Sequence, residues 1–192
     1  MSLLCLLLVL TTACTPVGNT QSDQIMETQA ACADTDSLDY DIGEMLMVGF
    51  KGQTLTADHH IVRDIQQYHV GSVILFEYDA TTGTRHRNIA SPAQLETLCR
   101  QLQNVAANRP LNKKIGDSDS RPLIISVDQE GGYVCRLRQK DGFPRVPSHK
   151  YCATHGDDTI RYYARLTAQM LAKAGINLDF APVADVDVNP DC

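Results

Sequence analysis

Four short apolar runs, each bounded by Gly, Pro or Asp, constrain this chain more than any other feature. They are MLMVGF (Met45 to Phe50), VGSVILF (Val70 to Phe76), PLIISVD (Pro122 to Asp128) and INLDFAPVADV (Ile176 to Val186). Their β-branched and bulky residues predict four buried strands. Between them lie three segments of helical periodicity: ADHHIVRDIQQY (Ala57 to Tyr68), SPAQLETLCRQLQNVA (Ser91 to Ala106) and DDTIRYYARLTAQMLAKA (Asp157 to Ala174). The second starts with Ser91 as N-cap, Pro92 at the first helical position and Gln94 placed to complete a capping box. The third stops before Gly175, the residue type that closes helices in a left-handed conformation. Strand and helix in alternation predict parallel strands joined by right-handed crossovers, an α/β fold. Near-continuous apolar strands predict burial on both faces. Periodicity alone leaves an open sheet and a (β/α) barrel both standing. No GxGxxG or P-loop follows any run, which removes support for a nucleotide-binding sheet. NKKIGDSDSR (Asn112 to Arg121) reads as a solvated loop before the third strand.

The N-terminus differs from this pattern. Residues 1–14, MSLLCLLLVLTTAC, hold an apolar core too short to span a bilayer as a mature helix, and fit a signal peptide. Thr11-Thr12-Ala13-Cys14 resembles a bacterial lipoprotein processing box, which marks Cys14 for lipidation and predicts an exported, membrane-anchored protein. A plain signal peptide is the alternative reading. Residues 15–37 are polar and aperiodic, a tether. Of the seven cysteines, the five outside the leader form no CxxC pair and no zinc spacing, so no metal is expected and most should be buried as small hydrophobes. The net charge of -6, with 17 basic and 23 acidic residues and no long block of either sign, gives no electrostatic case for a nucleic-acid partner.

Candidate functional residues gather behind the third and fourth runs. VDQEGGYVCRLR (Val127 to Arg138) places Asp128 and Glu130 beside a Gly-Gly turn and then returns Arg136. Polar groups at the carboxyl end of a parallel strand project into the mouth of an α/β fold, where ligands bind. A carboxylate at Asp128 accepts two hydroxyl hydrogen bonds and the Arg136 fork donates several, which suits a polyhydroxylated ligand. The competing reading is that the two merely pair to pin the loop. FPRVPSH (Phe143 to His149), stiffened by Pro144 and Pro147, follows as a candidate wall. Asp185, Asp187 and Asn189 alternate along the end of the fourth run and would share one strand face, either supporting a site or bracing the rim. His149 and His155 are acids in principle and loop histidines by preference.

Taken together, SVDQEGGYVCRLR, FPRVPSH and GINLDFAPVADVDVNP resemble the N-terminal domain of glycoside hydrolase family 3, in its bacterial β-N-acetylhexosaminidase branch of the NagZ type. IGEMLMVGFKGQTL (Ile42 to Leu55) and VGSVILF extend the resemblance over nearly everything after the tether. It implies a TIM-like (β/α) barrel, no cofactor, and retaining hydrolysis of terminal β-linked N-acetylglucosamine through a covalent glycosyl-enzyme intermediate. Its partners would be N-acetylglucosamine-containing glycans. By motif position Asp128 binds sugar hydroxyls and Arg136 helps to hold the same sugar, with Glu130, Asp185 and Asp187 as support. Tyr133 stands where many relatives have arginine. The family's nucleophile and acid/base follow the DVDVNP strand, so they are expected beyond Cys192 and no catalytic residue is assigned within the chain. A full barrel takes about 250 residues and eight strands. Residues 38–192 are thus expected to be the N-terminal half of the catalytic domain, about four βα units. Two alternatives stay open: a truncated product that is inactive or only binds carbohydrate, and a β-glucosidase of the same family.

Overall fold

The computed structural model describes residues 38–109 and 121–184. The leader, the tether with Cys14, most of the predicted polar loop, and Asp185, Asp187 and Asn189 lie outside the described residues. Residues 38–45 form a helix, α1. It is followed by β1 (Met47–Gly49), α2 (His60–Gln67), β2 (Ser72–Ile74), a hairpin of β3 (Tyr78–Asp79) and β4 (Thr84–Arg85), and α3 (Pro92–Ala107). Then come β5 (Ile124–Val127), a second hairpin of β6 (Gln129–Gly131) and β7 (Val134–Cys135), a 3-10 turn (Gln139–Asp141), α4 (His149–Thr154), α5 (Asp157–Ala174) and β8 (Leu178–Asp179).

The four predicted strands form one sheet in the order β1-β2-β5-β8, every pair parallel. Register places Met47 beside Ser72 and Ser72 beside Ile124, while Ser126 lies beside Leu178. Alternation then sorts the side chains. Val73, Leu75, Ile125 and Val127 are fully buried in the same core as Ile61 and Ile65 of α2, Leu95, Leu98 and Leu102 of α3, and Met170 and Leu171 of α5. Burying each such side chain contributes roughly 1.5–3 kcal/mol before entropy is counted. The opposite face is less covered: Ile124 is 42% exposed, and Met47 and Ile74 are half-buried. Ser72 and Ser126 on that face are nonetheless buried, at 5% and 0% exposure, so burial on both faces holds only in part, with the core helices packed on one side.

The caps explain why the helices start and stop where they do. Ser91 Oγ accepts from the Gln94 N–H at 3.3 Å. Gln94 Oε1 in turn accepts from the N–H of Ala90, one residue before the cap, at 2.8 Å. The capping box thus forms in a shifted version. α5 ends at Gly175, whose φ is 83° and whose N–H reaches back to Ala172 and Leu171. Two expectations failed locally. MLMVGF was read as strand throughout, yet residue 45 ends α1 and the strand holds only Met47–Gly49. Neither hairpin was foreseen, since two- and three-residue strands are too short to show a period.

Cys99, Cys135 and Cys152 are free and buried. Burial pushes the Cys99 thiol up to about 12, which makes it a packing residue rather than a nucleophile.

Candidate sugar-binding site

The site lies at the carboxyl ends of β2, β5 and β8. Each of these strands delivers an acid there: Glu77 three residues past β2, Asp128 directly after β5, and Asp179 as the last residue of β8. The β6–β7 hairpin folds back over this edge and returns Arg136 to it. Gln129 fixes that return. Its buried side chain accepts the N–H groups of both Arg136, at 3.0 Å, and Leu137, at 2.9 Å. Its own N–H donates to Asp179 Oδ1 at 2.9 Å, which ties the residue after Asp128 to β8.

Arg136 is the hub. Its Nη2 donates to Asp128 Oδ2 at 2.9 Å, and its Nη1 lies 3.6 Å from Glu77 Oε2. Glu77 is 1% exposed, so its charge has to be compensated inside the protein. Arg138 Nη2 supplies the direct hydrogen bond, at 2.7 Å to Oε1. The Phe76 ring carries two further contacts, with the guanidinium of Arg136 5.6 Å and that of Arg87 5.4 Å from its centroid. Cation–π attraction of this kind stiffens the arginines without consuming their donors.

Chemically, the pair of Asp128 and Arg136 is both braced and open. Each side chain keeps 23% exposure, and Asp128 Oδ1 has no hydrogen-bond partner among the described residues. One carboxylate oxygen is thus held by Arg136, while among the described residues no donor takes the other. The two readings left open by the sequence are compatible: the residues do pair, and the pair still faces solvent.

Asp179 behaves differently. Burial raises its carboxyl above the usual range; the nearby charges of Asp128 and Glu130 add to this, and the Gln129 N–H and His149 oppose it. With Glu130 and His149 it forms the polar end of a cavity of about 560 Å³ whose other walls include Ile160, Leu171 and Pro182. Glu130 therefore stands beside the Asp128 pair rather than in it. His149 opens α4, while His155 caps its end, with Nδ1 2.8 Å from the Tyr151 carbonyl and its ring stacked on Tyr151 at 3.9 Å. Pro147 and Val146 do form a wall, packed against the Gly-Gly turn. Gly131 and Gly132 have φ of 84° and 64°, and a Cβ on either would lie 2.2 Å from Pro147 O or 2.7 Å from Ser148 Cβ. Only glycine fits there.

Sequence reasoning missed Glu77, Gln129, Arg138 and Asp179. Glu77 directly follows VGSVILF, the place that singled out Asp128 behind PLIISV, so the same strand-end argument would have found it. Asp179 was read as strand interior because the fourth run was taken as longer than the two residues that pair.

A parallel sheet with helices on one face and a carboxylate–guanidinium cluster at the strands' carboxyl ends defines a TIM-barrel-type domain with a candidate ligand site at its mouth. The chain belongs to glycosyl hydrolase family 3: residues 37–192 match the model of that family's N-terminal domain. It is 34% identical over 145 residues to a protein of Pseudomonas aeruginosa named beta-hexosaminidase, covering 74% of this chain and 35% of that one. It is 31% identical over 151 residues to beta-hexosaminidase LpqI of Mycobacterium tuberculosis, covering 78% of this chain and 31% of the relative. Among solved structures, a family 3 beta-N-acetylglucosaminidase from Paenibacillus superposes with a TM-score of 0.59 at 34% identity, over 76% of this chain and 24% of that one. The chain spans about a third of the length of these curated relatives.

Proposed function

We propose that this chain forms the sugar-binding part of a β-N-acetylhexosaminidase that releases terminal β-linked N-acetylglucosamine from glycans. The observation that carries the reading is the Asp128–Arg136 pair at the carboxyl end of β5, ion-paired at 2.9 Å while each side chain keeps 23% exposure. Relatives named beta-hexosaminidase support the substrate class. The braced arginine would hold the terminal sugar by directional donors, and Asp128 would accept from its hydroxyls. Such contacts orient the ring for attack.

Retaining hydrolysis requires a nucleophile and a separate acid/base at a defined distance. Asp128 is committed to Arg136, Glu77 is buried under two arginines, and Asp179 is tied to the Gln129 backbone. The reacting pair would accordingly come from parts of the whole enzyme outside the described residues. The test is turnover of an aryl N-acetyl-β-glucosaminide and of an aryl β-glucoside by the full-length enzyme. Preference for the acetamido substrate is expected, and Asp128→Ala should lower kcat/KM by about 100-fold or more, consistent with losing roughly 3 kcal/mol of charge-assisted hydrogen bonding. Unchanged turnover in Asp128→Ala would remove Asp128 from the site.

A further inference from the structure

Glu77 is 1% exposed, yet its two carboxylate oxygens are used unequally. Oε1 accepts from Arg138 Nη2 at 2.7 Å. Oε2 has no hydrogen-bond partner among the described residues, and Arg136 Nη1 stands 3.6 Å from it, close enough for an ion pair and too far for a hydrogen bond. Arg136 shows the matching deficit. Its Nε is buried and also lacks a partner among the described residues, while its Nη2 donates to Asp128 Oδ2 at 2.9 Å. A carboxylate oxygen and a guanidinium N–H, both buried and both unmade on side chains that already face each other, mark a contact the site has room to complete, because each is costly to leave without a partner.

The main chain on both sides is fixed. The Arg136 N–H donates to Gln129 Oε1 at 3.0 Å. The Glu77 carbonyl accepts from the His86 N–H at 2.6 Å, and Phe76 before it donates to Asn88 Oδ1 at 3.1 Å and accepts from the Asn88 N–H at 2.9 Å. Completing the contact therefore falls to the Arg136 side chain, whose guanidinium lies 5.6 Å from the Phe76 ring centroid. Attraction to a ring face leaves the donors unspent as the guanidinium shifts across it.

We propose that Glu77 is a positioning residue for the sugar site: its Oε2 is a second seat for Arg136, which the guanidinium takes when the Asp128 carboxylate turns to the hydroxyls of the terminal sugar. The role in sugar binding rests on the reading of Asp128 given above. In the sugar-free molecule Arg136 occupies Asp128 Oδ2, an acceptor that a hydroxyl needs. Once seated on Oε2, Arg136 gives Glu77 one guanidinium per oxygen and leaves Asp128 both of its own. Charge is balanced in either arrangement, with two carboxylates facing two guanidiniums. Without the second seat, sugar and arginine compete for the same Asp128 oxygen.

The experiment has two arms, both on the full-length enzyme. The first needs no sugar: the crystal structure of Asp128→Ala is determined. With its present partner removed, Arg136 should close on Glu77 Oε2 to about 3 Å. A guanidinium that keeps its present separation, or swings into solvent, overturns the second seat. In the second arm, turnover of an aryl N-acetyl-β-glucosaminide is compared between wild type and Glu77→Gln. Glutamine keeps an acceptor for Arg138 and turns an amide NH2 toward Arg136, so KM should rise about tenfold with kcat kept. A merely structural Glu77 would lower the melting temperature and the active fraction, and leave KM alone. That result overturns the positioning role even where Arg136 fills the seat in Asp128→Ala. Absence of turnover by wild type would sink the sugar reading and the positioning role with it, whereas the Asp128→Ala structure would still decide whether Glu77 seats Arg136.

Discussion

Glu77 is the residue on which the mouth depends most. Its removal would leave Arg138 without its ion-pair partner and Arg136 with Asp128 alone. Taking away one member of a fully buried ion pair costs about 3–5 kcal/mol. Both arginines keep partial exposure, 23% and 36%, so solvent will offset part of that. Glu77→Ala is therefore expected to lose about 2–3 kcal/mol, read as a lower urea midpoint at unchanged m. Glu77→Gln, which keeps an acceptor for Arg138, should lose visibly less; equal losses in the two variants would mean that packing, not charge, is what Glu77 contributes. Asp128 was legible in the sequence because a carboxylate followed by Gly-Gly and answered by Arg136 is a pattern of residue types. Glu77 carries no such pattern. Its meaning comes from Arg136 and Arg138, 59 and 61 positions away, and only parallel pairing of β2 with β5 brings them together.

At the scale of elements, the β3–β4 hairpin is held beside the mouth by charge rather than by a core. Lys51 pairs with Asp79 at 2.5 Å, and Arg85 with Asp141 at 3.1 Å. The hydrogen bond from the Lys51 ammonium holds the Asp79 carboxyl well below the usual carboxylate range, with the Thr81 N–H assisting. A depressed pKa in the folded state means that the unfolded chain binds more protons in acid. The stabilisation is complete above the ordinary carboxylate range and disappears as pH falls through the depressed value. In Lys51→Met, melting temperatures measured from neutral pH downward should fall below wild type at neutral pH and converge with it in strong acid. A constant gap at all pH values would show that the pair is not what links the hairpin to acid stability. The three predicted helices formed, α5 to the residue, because caps and apolar spacing are local signals, whereas α1 and α4 were not foreseen. The strands were overestimated at both ends: apolar runs record burial, whereas pairing stops where the backbone turns to form the site.

The whole molecule shows one well-covered face of its sheet and one sparsely covered. Among the described residues β1 and β8 are the sheet's edges, and Ile124 lies 42% exposed on the inner side. Free parallel edges beside an apolar surface promote association. Residues 38–192 expressed as an isolated fragment are expected to self-associate at micromolar concentration in sedimentation velocity, and Ile124→Thr should reduce this; a monodisperse monomer would show that the inner face is adequately solvated as it stands. The glycines of the β6–β7 turn carry a different consequence. Because Gly131 abuts Pro147 and Gly132 abuts Ser148 with no room for one more carbon, the turn and the segment before α4 cannot shift independently. Protein engineers wishing to transplant this mouth into another barrel would have to move residues 128–148 as one cassette, since a graft of either half alone would arrive without the surface that gives it its shape.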